Sequence, residues 1–355
     1  MTHPFYCSDV SKEVGEDLIG SATPYQTFIL VQCPFPWAAN AFDSKWIPQD
    51  LQDLVTSVKA SGLPVQFLLI NRIVNKSLAQ EMSLDGLTRL LIYQRTPDRF
   101  CQGYHRYECE IHQPAEIAPL IQSFLQGQEL SEPACNRLVR DLLICVHGSH
   151  DKCCAKYGFP FFRQAIATIA HLKTELQTQQ DSLEQPTIRV WQTSHFGGHR
   201  FAPTLIDFPT GRYYGRMTQS ALHAILTRSG DVQMLAGVYR GWSILPTWLQ
   251  SAERMLMFRD GWLWFDAKLA YQMIHQSADG HTIQARLSVM RSDGKIRAYT
   301  VEIVKDPCKT VCLRTSCGAS QESEQAKYEV KSLVDSNSNE SFVSPFHSHL
   351  YQVSQ

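Results

Sequence analysis

DLLICVHGSHDKCCAKYGFPFFRQAIATIAHLKTELQ, residues 141–177, changes character twice within one stretch. Residues 141–148 form a short apolar run that reads as a buried strand, and from Tyr157 onward apolar residues recur at helical spacing. Cys145 falls at the end of the strand. The turn that follows carries His147, Gly148, His150, Lys152, Cys153 and Cys154, a dense mixture of polar and soft-donor side chains. Downstream, IRVWQTSH (residues 188–195) reads as a second strand ending at His195, and APTLIDFPTGRYYGRM (residues 202–217) as a hairpin turning at Pro209 to Gly211. The order is strand, helix, strand, hairpin.

A similar order runs upstream. FILVQC gives a strand, and Leu51, Leu54, Val55 and Val58 recur at helical spacing before a stop at Gly62. Strands follow at residues 65–72 and 87–95, and an amphipathic segment, EIAPLIQSFLQ, lies at residues 116–126. Laying residues 142–145 on 30–33, and 188–195 on 65–72, sets Cys33 opposite Cys145 and Arg72 opposite His195. The chain therefore reads as duplicated, with a first half that keeps at most one of the donors. Residues 1–23 read as a polar arm in which Cys7 is an ordinary thiol. After the duplicated region, residues 219–230 read as a helix. Tyr239, Trp242, Trp248 and Trp262 give an aromatic packing surface, and residues 262–304 alternate as antiparallel strands with a turn at Ser292 to Lys295. From Gly318 the sequence turns polar.

With 355 residues, 44% hydrophobic content and a net charge of -1, the chain can bury a large core and offers no basic field for nucleic acid. The first residues lack the pattern of a secretory signal, and no apolar run approaches the ~20 residues of a membrane span. The reading is a soluble, cytoplasmic protein. Its 11 cysteines then point to free thiols and metal ligands rather than a disulfide framework.

Cys145, Cys154, His195 and His199 are the candidate metal ligands. Both pairs sit at strand ends, where open α/β sheets collect ligands. Gly197 and Gly198 between the two histidines disfavour a regular helix and give a tight loop. Two thiolates and two imidazoles suit a closed tetrahedral zinc, and equally a 2Fe-2S cluster in which two His replace two Cys. Spacing alone does not choose. The Rieske pattern is absent, since Cys154 has no His two residues after it. Other chemistries have less support. No Cys-x-x-Cys, G-x-G-x-x-G or P-loop motif occurs, and Asp207, Asp260 and Asp266 show no spacing of a glycosidase pair. A thiol enzyme would use Cys153 or Cys154 as nucleophile and His147 or His150 as base. Cys308, Cys312 and Cys317 read as ordinary thiols lacking a fourth ligand. His347 and His349 fall in a segment that reads as a flexible tail, and Arg200 and Lys152 read as solvated charges.

CVHGSHDKCCAKYG, HFGGHRFAPTLIDFPTGRYYGRM and YRGWSILPTWLQSAE resemble the sucrase/ferredoxin-like proteins, over residues 25–255. The resemblance implies a thioredoxin-like ferredoxin domain that binds a 2Fe-2S cluster through two Cys and two His. By motif position it implies Cys145 and Cys154 as thiolate ligands and His195 and His199 as imidazole ligands, with Cys153 as the rival for Cys154. The expected fold is α/β, with two thioredoxin-like units in tandem and a C-terminal antiparallel β-rich module. Residues 1–125 would form a divergent half without the ligand set, and 126–235 the ferredoxin domain. Residues 236–334 would form an accessory helix and β module, and 335–355 a flexible tail. The expected function is electron transfer with a redox partner protein or a small-molecule donor or acceptor. The alternative is a structural zinc site in an interaction protein. Neutral imidazoles in place of thiolates raise a cluster's potential, and an imidazole ligand can lose its outer proton. The midpoint potential is therefore expected to vary with pH. Potentiometry giving a flat potential from neutral to alkaline pH would exclude that coupling.

Overall fold

A computed structural model of the protein describes residues 5–72, 89–128, 139–177 and 187–336. After a short helix α1 (Cys7–Glu13), the first half runs β1 (Thr27–Gln32), α2 (Gln49–Ala60), β2 (Val65–Asn71), β3 (Arg89–Arg95), β4 (Tyr104–Glu110) and α3 (Ile117–Leu125). The second half runs β5 (Val139–Cys145), α4 (Lys152–Gln177), β6 (Thr187–Thr193), β7 (Leu205–Phe208), β8 (Arg212–Tyr214) and α5 (Gln219–Thr227). Apolar positions explain the helices: α2 buries Leu51, Val55 and Val58, and α3 buries Ile117, Ile121 and Phe124, each set on one helical face.

The strands, with β9 (Tyr239–Trp242), join one curled nine-stranded sheet in the order β4-β3-β1-β2-β6-β5-β7-β8-β9. In each half the helix-linked pair is parallel, β1 with β2 and β5 with β6, and an antiparallel strand lies outside its first member. The two halves thus repeat one strand order and meet edge to edge, antiparallel, at Ile70↔Thr193 and Asn71↔Gln192. Curling brings the far strands together. Tyr104 N donates to Pro209 O at 2.8 Å, and Tyr93 stacks on Phe208 with ring centroids 4.1 Å apart.

The repeat corrects the alignment drawn from sequence. Cys33 N bonds Ile70 O at 2.9 Å, as Val146 N bonds Thr193 O at 3.1 Å. With residues 65–72 kept on 188–195, Gln32 therefore takes the place of Cys145 and Cys33 that of Val146. A slip of one residue reverses the face to which a strand side chain points, so Cys33 is no counterpart of a ligand. Arg72, the counterpart of His195 in that alignment, instead lies 5.9 Å from the Trp191 ring.

Helix α6 (Gln250–Asp260) leads into a separate four-stranded antiparallel sheet of β10 (Lys268–Gln276), β11 (Thr282–Met290), β12 (Ile296–Leu313) and β13 (Ser323–Ser336). The polar reading after Gly318 missed β13, where the alternation of Ala326, Tyr328 and Val330 is short and set among polar residues. Asp335 and Ser336, read as the start of a flexible tail, are instead the paired end of β13, opposite Tyr299 and Ala298; residues 337–355, with His347 and His349, lie outside the described residues. Among those residues, no helix is long and apolar enough to cross a membrane.

The join between the halves is completed by Ser194. Its backbone N–H donates to Leu69 O at 2.8 Å, and its hydroxyl accepts from Leu69 N at 2.9 Å, with both residues buried. Ser194→Ala leaves the Leu69 N–H without a partner in a dry environment. It should cost ~1–3 kcal/mol, read as a lowered urea midpoint; an unchanged midpoint would remove the hydroxyl from the join.

Candidate metal centre

The sulfur donors come from a strand end and a helix start. β5 ends at Cys145, and Asp151 caps α4 by accepting from Cys153 N at 2.8 Å. Cys153 and Cys154 therefore lie in the first turn of the helix, not in the loop expected from sequence. Gly158 lets this helix press against the strand, since a Cβ there would lie 2.0 Å from the Cys145 carbonyl oxygen. Cys154 is thereby turned onto Cys145, and both are buried. Contact with Cys145, together with burial, pushes the Cys154 thiol well above its usual range. Cys153, one residue earlier, is turned about 100° away on the helix and meets Cys7 and Cys317 instead.

The imidazoles leave the sheet at the join. Beyond Ser194, His195 N donates to His147 Nδ1 at 3.2 Å, and the other ring nitrogen of His147 bonds Ala38 O at 2.7 Å. Gly198 adopts φ +78, a left-handed conformation that favours glycine, and starts the 3-10 turn His199–Phe201. Gly197 N donates to His195 Nε2 at 3.1 Å, and His199 Nδ1 lies 3.3 Å from the same nitrogen. On its other side, His195 Nδ1 lies 3.8 Å from Cys154 Sγ. His150 stacks on His195 with ring centroids 4.2 Å apart. Burial, with His199, His150, His147 and Arg240 nearby, pulls the His195 imidazole down to about 2. Burial also lowers His199, against the opposing pull of Asp151, and lowers His147. These rings are neutral near pH 7, the form that ligates metals.

The donors fall into groups whose ligand atoms lie within 4.8 Å of one another. Cys145, Cys154 and His195 form one; His150, His195 and His199 form a second that shares His195. The four sequence candidates therefore meet at one end of the sheet, as a line running from sulfur to imidazole. A third group gathers Cys7, Asp151, Cys153 and Cys317. Sequence reading missed it because its members come from the two ends and the middle of the chain. It also missed Arg240, a buried residue whose Nη1 donates to Gly197 O at 3.1 Å and whose guanidinium fills the space beside Gly198. Arg200, expected as a solvated charge, instead pairs with buried Glu16 at 3.0 Å. Lys152 is exposed. A cleft of about 290 Å³ opens beside the histidine loop, lined by Gly197, Gly198, Arg200, Arg240 and Lys327.

The acidic residues weighed for hydrolysis are all engaged elsewhere. Asp207 is held by Arg140 at 2.6 Å, Asp260 by Arg291 at 2.6 Å and Asp266 by Arg228 at 2.7 Å. His147 and His150 bond the carbonyls of Ala38 and Ala39, and neither faces Cys153. Cys308 and Cys312 are exposed, while Cys317 is half-buried and joins the third group.

The model of the sucrase/ferredoxin-like family matches residues 18–241, and the chain belongs to that family. Neither the curated proteins nor the solved structures give a match.

The buried imidazoles make stability depend on pH. His195 titrates at about 2 in the fold and at 6.5 in its unperturbed state, so below 6.5 the unfolded chain binds the extra proton. The stability of metal-free protein should be fully present above that value and fall as pH drops through the window. Urea midpoints measured between about pH 5 and 8 should show this loss, and His195→Gln should flatten it. An equal slope in the variant would discount His195.

Proposed function

We propose that this member of the sucrase/ferredoxin-like family is an electron-transfer protein carrying one 2Fe-2S cluster on Cys145, Cys154, His195 and His199. The observation that carries the reading is the linear donor set: two overlapping groups sharing His195, with sulfur at one end and imidazole at the other. A single tetrahedral ion needs four donors around one point. A binuclear centre held by two Cys and two His can take sulfur at one end and imidazole at the other, which is the arrangement these residues favour. Family membership supports the same reading. The strand order repeated in the two halves supports the tandem thioredoxin-like description of the fold.

Bound there, the cluster would supply one-electron chemistry at a potential above that of an all-Cys ferredoxin, because neutral imidazoles replace anionic thiolates. The protein's own residues do the rest. Phe196 and Phe201 are buried on either side of the Gly-Gly loop and keep water from its inner face. Arg240 holds the loop through Gly197 O and brings a positive charge close to the donors, which favours an anionic centre. His199 Nε2 lies 3.9 Å from Asp151 Oδ2, a carboxylate placed to orient the ring and retain its proton. The orientation of Cys153 toward Cys7 and Cys317 supports Cys154 as the second sulfur. The cleft beside Gly197 and Gly198 is where a redox partner would approach the imidazole end.

Anaerobic purification should give a coloured protein with about two irons per chain and, once reduced, a paramagnetic resonance signal. Cys154→Ser should abolish both, and Cys153→Ser should leave the iron in place. An iron-free protein whose only zinc disappears with Cys154→Ser would replace this reading with a structural zinc site.

A further inference from the structure

Cys7, Cys153 and Cys317 bring three sulfurs together from α1, from the start of α4 and from the turn between β12 and β13. Their separations are 3.6 Å for Cys7 to Cys153, 3.3 Å for Cys153 to Cys317 and 3.8 Å for Cys317 to Cys7. Asp151 Oδ1 lies 3.9 Å from Cys7 Sγ, and all four ligand atoms lie within 4.8 Å of one another. We propose that Cys7, Cys153, Cys317 and Asp151 form a second metal site, distinct from the redox centre, that binds one zinc ion and clasps both ends of the fold to the start of α4.

The distances select a metal over a disulfide. Thiolates ~2.3 Å from a tetrahedral zinc stand about 3.8 Å apart, close to the three edges observed. A disulfide needs one pair at about 2 Å and leaves the third sulfur aside, whereas these three form a nearly regular triangle. Burial argues the same way. Cys7 and Cys153 are fully buried and Asp151 is 4% exposed. Without a cation the sulfurs stay protonated and bond one another, and a metal entering in place of those protons would find the three thiolates and the carboxylate already gathered.

Asp151 is built for the fourth position. Its oxygens accept from Cys153 N and Cys317 N, each at 2.8 Å, which fixes the carboxylate and leaves each oxygen a further lone pair. Ser8 N points at Cys153 Sγ from 3.5 Å, as backbone N–H groups do around metal thiolates. Soft sulfur donors exclude magnesium and calcium, and four protein ligands with no open position describe a structural rather than a catalytic zinc site. The site shares no ligand with the iron-sulfur reading, and the two meet only through Asp151, whose Oδ2 also lies 3.9 Å from His199 Nε2.

The test uses the full chain carrying Cys154→Ala and His195→Ala, which removes the first centre. Purified under reductant, this variant should retain one zinc per chain. After the zinc is stripped, cobalt added alone should give the absorption of a tetrahedral thiolate complex at one equivalent. Adding Cys317→Ser should weaken cobalt binding by more than ~100-fold, while Cys312→Ser, at an exposed thiol, should leave it unchanged. Should Cys317→Ser fail to fold, X-ray absorption at the zinc edge of the unmodified chain decides, with three sulfurs and one oxygen expected. Absence of zinc from the double variant overturns the proposal. So does a disulfide among Cys7, Cys153 and Cys317 in reduced preparations, or an edge spectrum showing two sulfurs and two nitrogens.

Discussion

Everything near the donors depends on how two half-sheets are held edge to edge. Strand edges present unpaired backbone groups. Here β2 and β6 satisfy each other over only two facing pairs, with Ser194 adding its hydroxyl. Because His195 follows directly, the imidazole loop emerges wherever the join is made. A buried polar hub reinforces this junction. Asp141 on β5 accepts from Arg189 Nε at 2.6 Å and from Trp191 Nε1 at 2.6 Å, and it also takes the hydroxyl of Tyr93 from β3 in the other half. Arg189 reaches on to Glu108 on β4 at 2.9 Å. Removing one member would leave a buried charge without its partner, which costs ~3–5 kcal/mol. The first half, without the ligand pattern, is thus a structural counterpart that fixes the second.

The outer side of the site is held by charges from distant parts of the chain. Glu16, 1% exposed, receives Arg200 from the histidine turn and Lys327 from β13 at 2.9 Å. These two cations pull the carboxylate below its ordinary range despite the opposing effect of burial. The β12–β13 module is therefore joined to the centre through Lys327 to Glu16, through Cys317 to Asp151 and through the Thr315 backbone to His199.

The sequence made the second half most legible. Residues 142–146 are an apolar run, and residues 188–193 carry β-branched and aromatic residues that favour a strand, so the strand end at Cys145 could be read directly and the end near His195 to within two residues, at Thr193. Edges were harder. β4, YHRYECE, and β13 are half-buried and rich in polar residues, so their few apolar positions are too sparse to announce a strand. The helix start at Lys152 was hidden because its capping side chain, Asp151, also looks like an ordinary loop residue. The Cys7–Cys153–Cys317 group could not be read, since no local spacing links residues brought together only by the closed fold. The misplacement of Cys33 has a related cause: an apolar strand without alternation fits equally well one residue to either side, and only the ladder bonds fix its register.

The order of the residues along the chain gives the clasp a direction in time. Cys145, Cys154, His195 and His199 all leave the ribosome well before Cys317, a gap of several seconds at ~5–20 residues per second. During that interval the histidine turn has its N-terminal neighbours, Glu16 and Ser21, but neither Lys327 nor the β12–β13 turn. A metal ion reaching the chain in that interval would meet an open donor line, and the β12–β13 segment would close over it afterwards.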